Sequence, residues 1–550
     1  MQRPLAALCA IVTIATMTAC GGGGGSSDAG PVLTFAPSTL TASTLAGTSA
    51  TLSVRATATD PSAFTGTVYV YVVDSQQVLS GTVSLTPVNT STYSATLTTS
   101  TALAAGRHQG AFQIQVCHDA QCAQPFPGSP VALPYDITVQ PLHGAGTDSH
   151  RLLVSQWGVG LAASPTGTTL TRAITVSDNY GGALPWTAAS DSAWLTATTS
   201  GTTGNGSVVT LNADPASLPL EQVSYARVTL SSTTAGVAPA VVRVALWKSA
   251  TGLSTQQTVA VNARHIVTDR IRPFVYANNG GSAIDIYQAY TGQKVGSIAA
   301  VGTALGEMTP SADGSRLYAL DTAAKSVALI DLDAPSKVAS WTLDKAIFDT
   351  TPVQAIRPNG VDVLLVGDGT AYANGKSLGT TGISNKIAAT SDGRRVYTQD
   401  VGFSPASVGA YDVDYTDFGG GSLVAKKLAG ASFVGQSSNG RDIAVSLDGQ
   451  HLYTASGAPY KCSAVDPATL SFIGYLAGGA PYPNNIEVTS DGRAVCGNGS
   501  SFWVHSADGA LLKTVAVSGG FADGQLVVTP DGFVVVTAGS STMTLVPIGP

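Results

Sequence analysis

Most catalytic and metal sites are built from Glu, His and Cys, and this chain is poor in all three. Across 550 residues there are 7 His, 6 Cys and only Glu221, Glu307 and Glu487. A glycosidase built on paired glutamates is therefore improbable, although Asp can serve instead. His265, His451 and His505 are the histidines of residues 255–550, and they fall at different places in the local pattern there. A triad or metal cluster would need them to meet only in space. No His-Glu-x-x-His run or calcium loop occurs. Gly419, Gly420 and Gly421 lack both the following helix and the lysine of a phosphate cradle. Asp331, Asp412 and Asp466 each end a short apolar run 18 to 20 residues after a turn aspartate, a register that suits turn capping. No catalytic residue, metal ligand or cofactor is expected.

The remaining reactive or adhesive groups are cysteines and aromatics. Cys117 and Cys122 flank a tight turn after an alternating strand. They close a short disulfide in an oxidising compartment, or join His118 in a metal site. Cys462 and Cys496 either pair across neighbouring units or stay as buried thiols. Trp186 and Trp194 stand eight residues apart. Exposed, they would stack on sugar rings; buried, they would be core.

The elements that must hold these groups are strands. Charged residues are 11% of the chain, against about 25% in an average soluble domain. Gly, Ser and Thr fill the gap, which excludes charge-driven disorder and coiled coils and favours an all-β chain with many turns. The net charge of -7, without a basic footprint, speaks against nucleic acid. Residues 31–140 and 150–249 carry period-2 runs such as Thr67–Val72 and Val241–Leu246, broken at about ten-residue spacing, as in a β-sandwich. Residues 255–550 repeat. Asp313-Gly314, Asn359-Gly360, Asp392-Gly393, Asp448-Gly449, Asp491-Gly492 and Asp531-Gly532 recur at roughly 44-residue spacing, the length of a four-stranded unit. An earlier unit around Phe274–Ile286 lacks the turn pair and brings the tally to seven. The last unit runs short of four strands, and Thr258–Val261 is placed to supply the missing one.

Four segments resemble known families. Residues 1–20 have Arg3, a short apolar stretch and Met17-Thr18-Ala19-Cys20, and resemble a bacterial lipoprotein signal with its lipobox. The resemblance implies a diacylated Cys20 as mature N-terminus. Gly21 in place of Asp implies sorting to the outer membrane. The Gly/Ser run of residues 21–30 reads as a tether. Residues 31–140 look like an immunoglobulin- or fibronectin-type module. Residues 150–249, through Leu184-Pro185-Trp186 and Ala193-Trp194-Leu195, resemble the BACON module, whose name suggests carbohydrate. The Ser-x-Asp-Gly-x-x-Leu-Tyr pattern of Ser311–Tyr318 and Ser446–Tyr453 resembles YVTN- and WD-like bacterial propellers. The expected architecture is all-β: two immunoglobulin-like β-sandwiches followed by a seven-bladed β-propeller.

The function that follows is a non-catalytic binding lipoprotein of the outer membrane, monomeric, with a glycan or an envelope protein as partner. Propeller ligands usually sit on loops joining strands and blades, which here nominates Tyr482 and Asn484 in one loop and Phe521 and Asp523 in the next. The alternatives are a propeller enzyme of lactonase or quinoprotein type, drawing on Glu307 and Glu487, and a structural, adhesin-like spacer.

Overall fold

The computed structural model describes residues 33–549, apart from 65, 66, 205, 429–431, 434–437, 459, 480 and 481. The signal, Cys20 and the tether lie outside the described residues. What is described is nearly all β, and no described helix is long and apolar enough to cross a membrane. The chain divides into two compact units, one ending at Thr147 and the other beginning at Asp148, inside the polar Gly144–Ser149 segment.

The first unit contains two four-stranded sheets. Alternation builds them: in Thr51–Ala58, Leu52 and Val54 are buried while Thr51, Ser53 and Arg55 face water. Leu52, Val54 and Leu97 of one sheet share a core with Phe112, Ile114 and Leu133 of the other. Cys117 and Cys122 are joined, with Cα atoms 5.1 Å apart. The Asp119 carboxylate folds the loop between them by accepting from the backbone N–H of Gln121, Ala123 and Gln124. The disulfide takes both thiols, and His118 stacks on Phe126 instead of joining them.

The second unit begins with a six-stranded and a four-stranded sheet over residues 152–248. Their shared core holds Leu161, Ile174, Trp186, Val209, Val228 and Val244. Seven small sheets follow. Their first strands are His265–Thr268, Leu305–Pro310, Val353–Ile356, Lys386–Ala389, Ser438–Val445, Asn485–Val488 and Leu526–Val528. Each first strand lies beside the next, and the seventh lies beside the first. Gln257–Ala260 pairs with Thr542–Pro547 and completes the seventh sheet from the N-terminal side, which covers what would be an open sheet edge.

The repeated hairpin has a physical basis. Its Ser or Thr donates to the Asp two residues on, as in Ser311–Asp313 (2.7 Å), Thr390–Asp392 (2.6 Å), Ser446–Asp448 (2.5 Å) and Thr529–Asp531 (2.7 Å). The same hydroxyl accepts the N–H that opens the second strand, for example that of Arg316 at 2.9 Å. Asn359 and Gly360 replace the pair in the third sheet, with φ of 49° and 74°, a left-handed turn that Asn and Gly tolerate best.

Candidate functional site

The first strands have two ends with different surroundings. At the hairpin end, the turns pack against the segment of residues 148–249. A Cβ on Gly158 would lie 2.9 Å from the Ala312 carbonyl oxygen, and one on Gly160 2.6 Å from Pro530 Cβ, so only glycine permits this approach. Arg151 Nη1 donates to the Asn359 carbonyl (2.9 Å), Arg172 Nη1 to that of Ser490 (3.0 Å), and Ser391 Oγ to that of Ser155 (2.6 Å). The Arg357 guanidinium lies 4.7 Å from the Trp157 ring centre. Arg272, 2% exposed, donates to Asp269 (2.9 Å), to Asp333 (2.7 Å) and to the Gly314 carbonyl (2.9 Å).

At the start end, one residue per sheet stands at the same register, four before the Ser/Thr of the hairpin or its counterpart. These are His265, Glu307, Val353, Lys386, Asp442, Asn485 and Gln525. All but Val353 are polar. Two of them lace neighbouring sheets: Gln525 Oε1 accepts from Ile266 N (3.0 Å), and Asp442 Oδ2 from Ile486 N (3.1 Å). His265 is gripped by Asp349 (2.9 Å) and lies 3.5 Å from Glu307. Burial works against its charge, but Glu307 and Asp349 outweigh burial and hold its pKa above the ordinary value.

Lys386 reaches into the interior that the first strands share. Its Nζ lies 3.4 Å from where a Cβ on Gly524 would stand, beside the seventh sheet. Burial opposes its charge, yet Asp442, Glu307, Glu487 and Asp523 together raise its pKa. Among the described residues its Nζ makes no hydrogen bond or direct ion pair. Glu487 stands two residues deeper than this level. Burial, reinforced by Asp442, pushes its carboxyl up to about 8, against the pull of Arg270 and Lys386. Among the described residues, no group of three or more His, Cys, Asp or Glu is placed to hold a metal ion.

The residues nominated from sequence divide sharply. Trp186 is 2% exposed and its indole N–H donates to Ser207 Oγ (2.9 Å). Gly201 sits against its ring. It is core, so it leaves the set of ligand contacts, because no face is free to stack. Trp194 is half-buried against the same core. Phe521 is also withdrawn: it is buried beside Val495 and Leu526, packed over Gly497. Tyr482 is 59% exposed. Asn484 Nδ2 donates to Asp523, which pairs with Arg441 at 2.8 Å. Asp331 and Asp466 cap turns, through N–H groups of Asp333 and Ala334 and of Ala468 and Thr469. Asp412 instead pairs with Arg395 at 2.8 Å. His505 is buried with Nε2 on the Ala477 carbonyl.

Sequence reasoning missed Tyr460, Lys386, Asp442 and Arg441. Tyr460 stands edge-on to Tyr482, ring centres 4.7 Å apart. Cys462 is joined to Cys496, Cα atoms 6.3 Å apart, which ties the strand after Tyr460 to the sixth sheet. Phe348 and Phe403, in other loops of the start end, are 77% and 63% exposed. The signal for the charged level was in the repeat. Counting six residues back from each turn Asp or Asn lands on Glu307, Val353, Lys386, Asp442, Asn485 and Gln525.

No family model matches the chain, and no curated protein matches it. Among solved structures it is similar to Kuenenia stuttgartiensis hydrazine synthase, with 14% identity and a TM-score of 0.39 over 53% of this chain and 97% of that one. A likeness of that size carries no argument about this chain.

Proposed function

We propose that the chain is a non-catalytic binding lipoprotein of the bacterial outer membrane. Cys20 carries the lipid and residues 21–30 are the tether. Two immunoglobulin-like β-sandwiches, the second of BACON type, precede a seven-bladed β-propeller whose start end takes a glycan or an envelope protein. The cyclic neighbourhood of the seven first strands and the closing strand Gln257–Ala260 support the propeller reading. The observation that carries the binding reading is a contrast in exposure. The hairpin end packs against residues 148–249, whereas loops of the start end carry exposed Phe348, Phe403, Tyr460 and Tyr482. Exposed aromatics are what a recognition surface offers.

Two experiments test this. Labelled palmitate should enter the wild-type chain and not Cys20→Ser, and the wild type should sediment with outer membranes. Full-length protein presented to an envelope glycan array and to envelope proteins should capture a partner that Tyr460→Ala/Tyr482→Ala loses. Equal capture by that double variant contradicts a start-end site.

A further inference from the structure

The first unit departs from the packing of residues 152–248. In both, alternation sends apolar side chains between two sheets. In residues 152–248 they arrive fully enclosed: Val209, Leu211, Val228 and Leu230 are at most 1% exposed. In the first unit Phe35, Val70, Val83 and Leu85 pack against the shared core and yet stay only partly buried. Protein interiors hold few voids larger than a water molecule, so inward-facing apolar groups left this open mark a space.

That space is a cavity of about 110 Å³ between the two sheets. Every strand of both sheets except Leu40–Leu45 contributes to its wall, so it is extended and not round. It runs from Pro61 and Thr90, which are exposed, to Leu97 and Leu133, each 1% exposed. The wall is apolar apart from Thr90 and Ser91 at the exposed end and the hydroxyl of Tyr93, and no charged side chain is among the described residues that line it. A water needs about 10–15 Å³ of such space and two to four polar partners. The room is present and, at the Leu97–Leu133 end, the partners are not, so that end favours an apolar occupant over water. Size narrows the choice. An apolar cavity that admits benzene measures about 150 Å³, so fused rings exceed this one, whereas a chain one carbon wide can thread an extended space.

We infer that the first unit binds one unbranched alkyl chain in this cavity, methyl end first, with its head group left at Thr90 and Ser91. The site is separate from the start end and does not depend on it. Two sources supply such a chain: a free fatty acid, or the acyl group proposed for Cys20. Leu33, the first described residue, lines the cavity. Cys20 lies 13 residues earlier, a reach of at most about 45 Å. The second source rests on the lipoprotein reading; the first does not.

The test is titration calorimetry of full-length Cys20→Ser, which carries no acyl group at that position, in a steroid detergent too bulky for the cavity. The probes are octanoate, decanoate, dodecanoate and hexadecanoate, with adamantane carboxylate as the compact control. Affinity should rise about fourfold for each methylene buried and then level off once the cavity is full, with Kd for dodecanoate below about 100 μM. Ala56→Leu, which fills part of the space, should weaken dodecanoate at least about tenfold while the thermal midpoint holds or rises, because filling a void stabilises. Leu85→Ala should move the level-off to a longer chain. Binding of no alkanoate, a preference for adamantane carboxylate, or dodecanoate binding indifferent to Ala56→Leu overturns the inference. Wild type bearing labelled palmitate decides the source. Added dodecanoate at least about tenfold weaker than in Cys20→Ser assigns the cavity to the protein's own acyl chain, and equal affinity assigns it to a free one. Wild type that takes up no palmitate overturns the lipoprotein reading and leaves the cavity to the Cys20→Ser titration.

Discussion

The two ends of the seven-sheet region are built from the same strands and treated in opposite ways. At the hairpin end, Arg272, Arg357, Arg172 and Arg151 each contact a turn, a carboxylate or an aromatic ring. Gly158 and Gly160 let the neighbouring segment approach backbone to backbone. At the start end, Lys386 is unpaired among the described residues and the tyrosines face water. The difference teaches where each end's side chains act. Arginines at one end hold residues 148–249 against the turns. Aromatic side chains at the other end stand exposed.

That contrast predicts a gradient of effects. The largest belongs to Arg272→Met. It would leave the Asp269 carboxylate, whose side chain is 0% exposed, without its cation, and losing one partner of a buried pair costs about 3–5 kcal/mol. Urea unfolding of the second unit should show a loss of that order; a change under about 1 kcal/mol would mean that the hairpin end is not held by this network. Next comes Cys462→Ala/Cys496→Ala. The bridge closes a separation of 34 residues, for which chain entropy gives about 3–4 kcal/mol. Because Tyr460 lies two residues before Cys462, the double variant should also weaken start-end binding while it is still folded. Unchanged affinity would detach the bridge from the lip.

The smallest effect is a pH profile. The Glu487 carboxyl has its pKa raised from 4.5 to about 8 by burial and by Asp442. Between those values the folded chain holds a proton that the unfolded chain releases, so stability falls as pH rises through the window. Wild type should therefore lose a few degrees of Tm between about pH 5 and about pH 8 relative to Glu487→Gln, with the two converging near about pH 4. Parallel curves would show that Glu487 is not enclosed with Asp442.

Much of the architecture was legible because it repeats. The Ser/Thr-x-Asp-Gly hairpin carries its own hydrogen-bond logic, so Asp313, Asp392, Asp448, Asp491 and Asp531 announced turns in advance. The closing strand was legible too, since the last repeat ran short of four strands and Thr258–Val261 stood ready to supply one; the pairing strand is Gln257–Ala260. The site was harder. Trp186 has the same sequence signature exposed or buried, and only packing over Gly201 decides it. Tyr460 sits in a loop between second and third strands, outside the repeated pattern, and its partner Tyr482 comes from the next connection. Lys386 and Asp442 were readable only once the hairpins were used as a ruler. Gly158 and Gly160, ordinary in a list of 61 glycines, acquire meaning from the turns that touch them.

Hydroxyl-radical footprinting of the full chain, in the cells that make it and after purification, tests the two-ended account most directly. Tyr460 and Tyr482 should be oxidised several-fold more slowly in the cells, with Trp194 unchanged between the two samples. Equal oxidation of both tyrosines, or protection confined to residues 150–249, would contradict a start end that engages a partner.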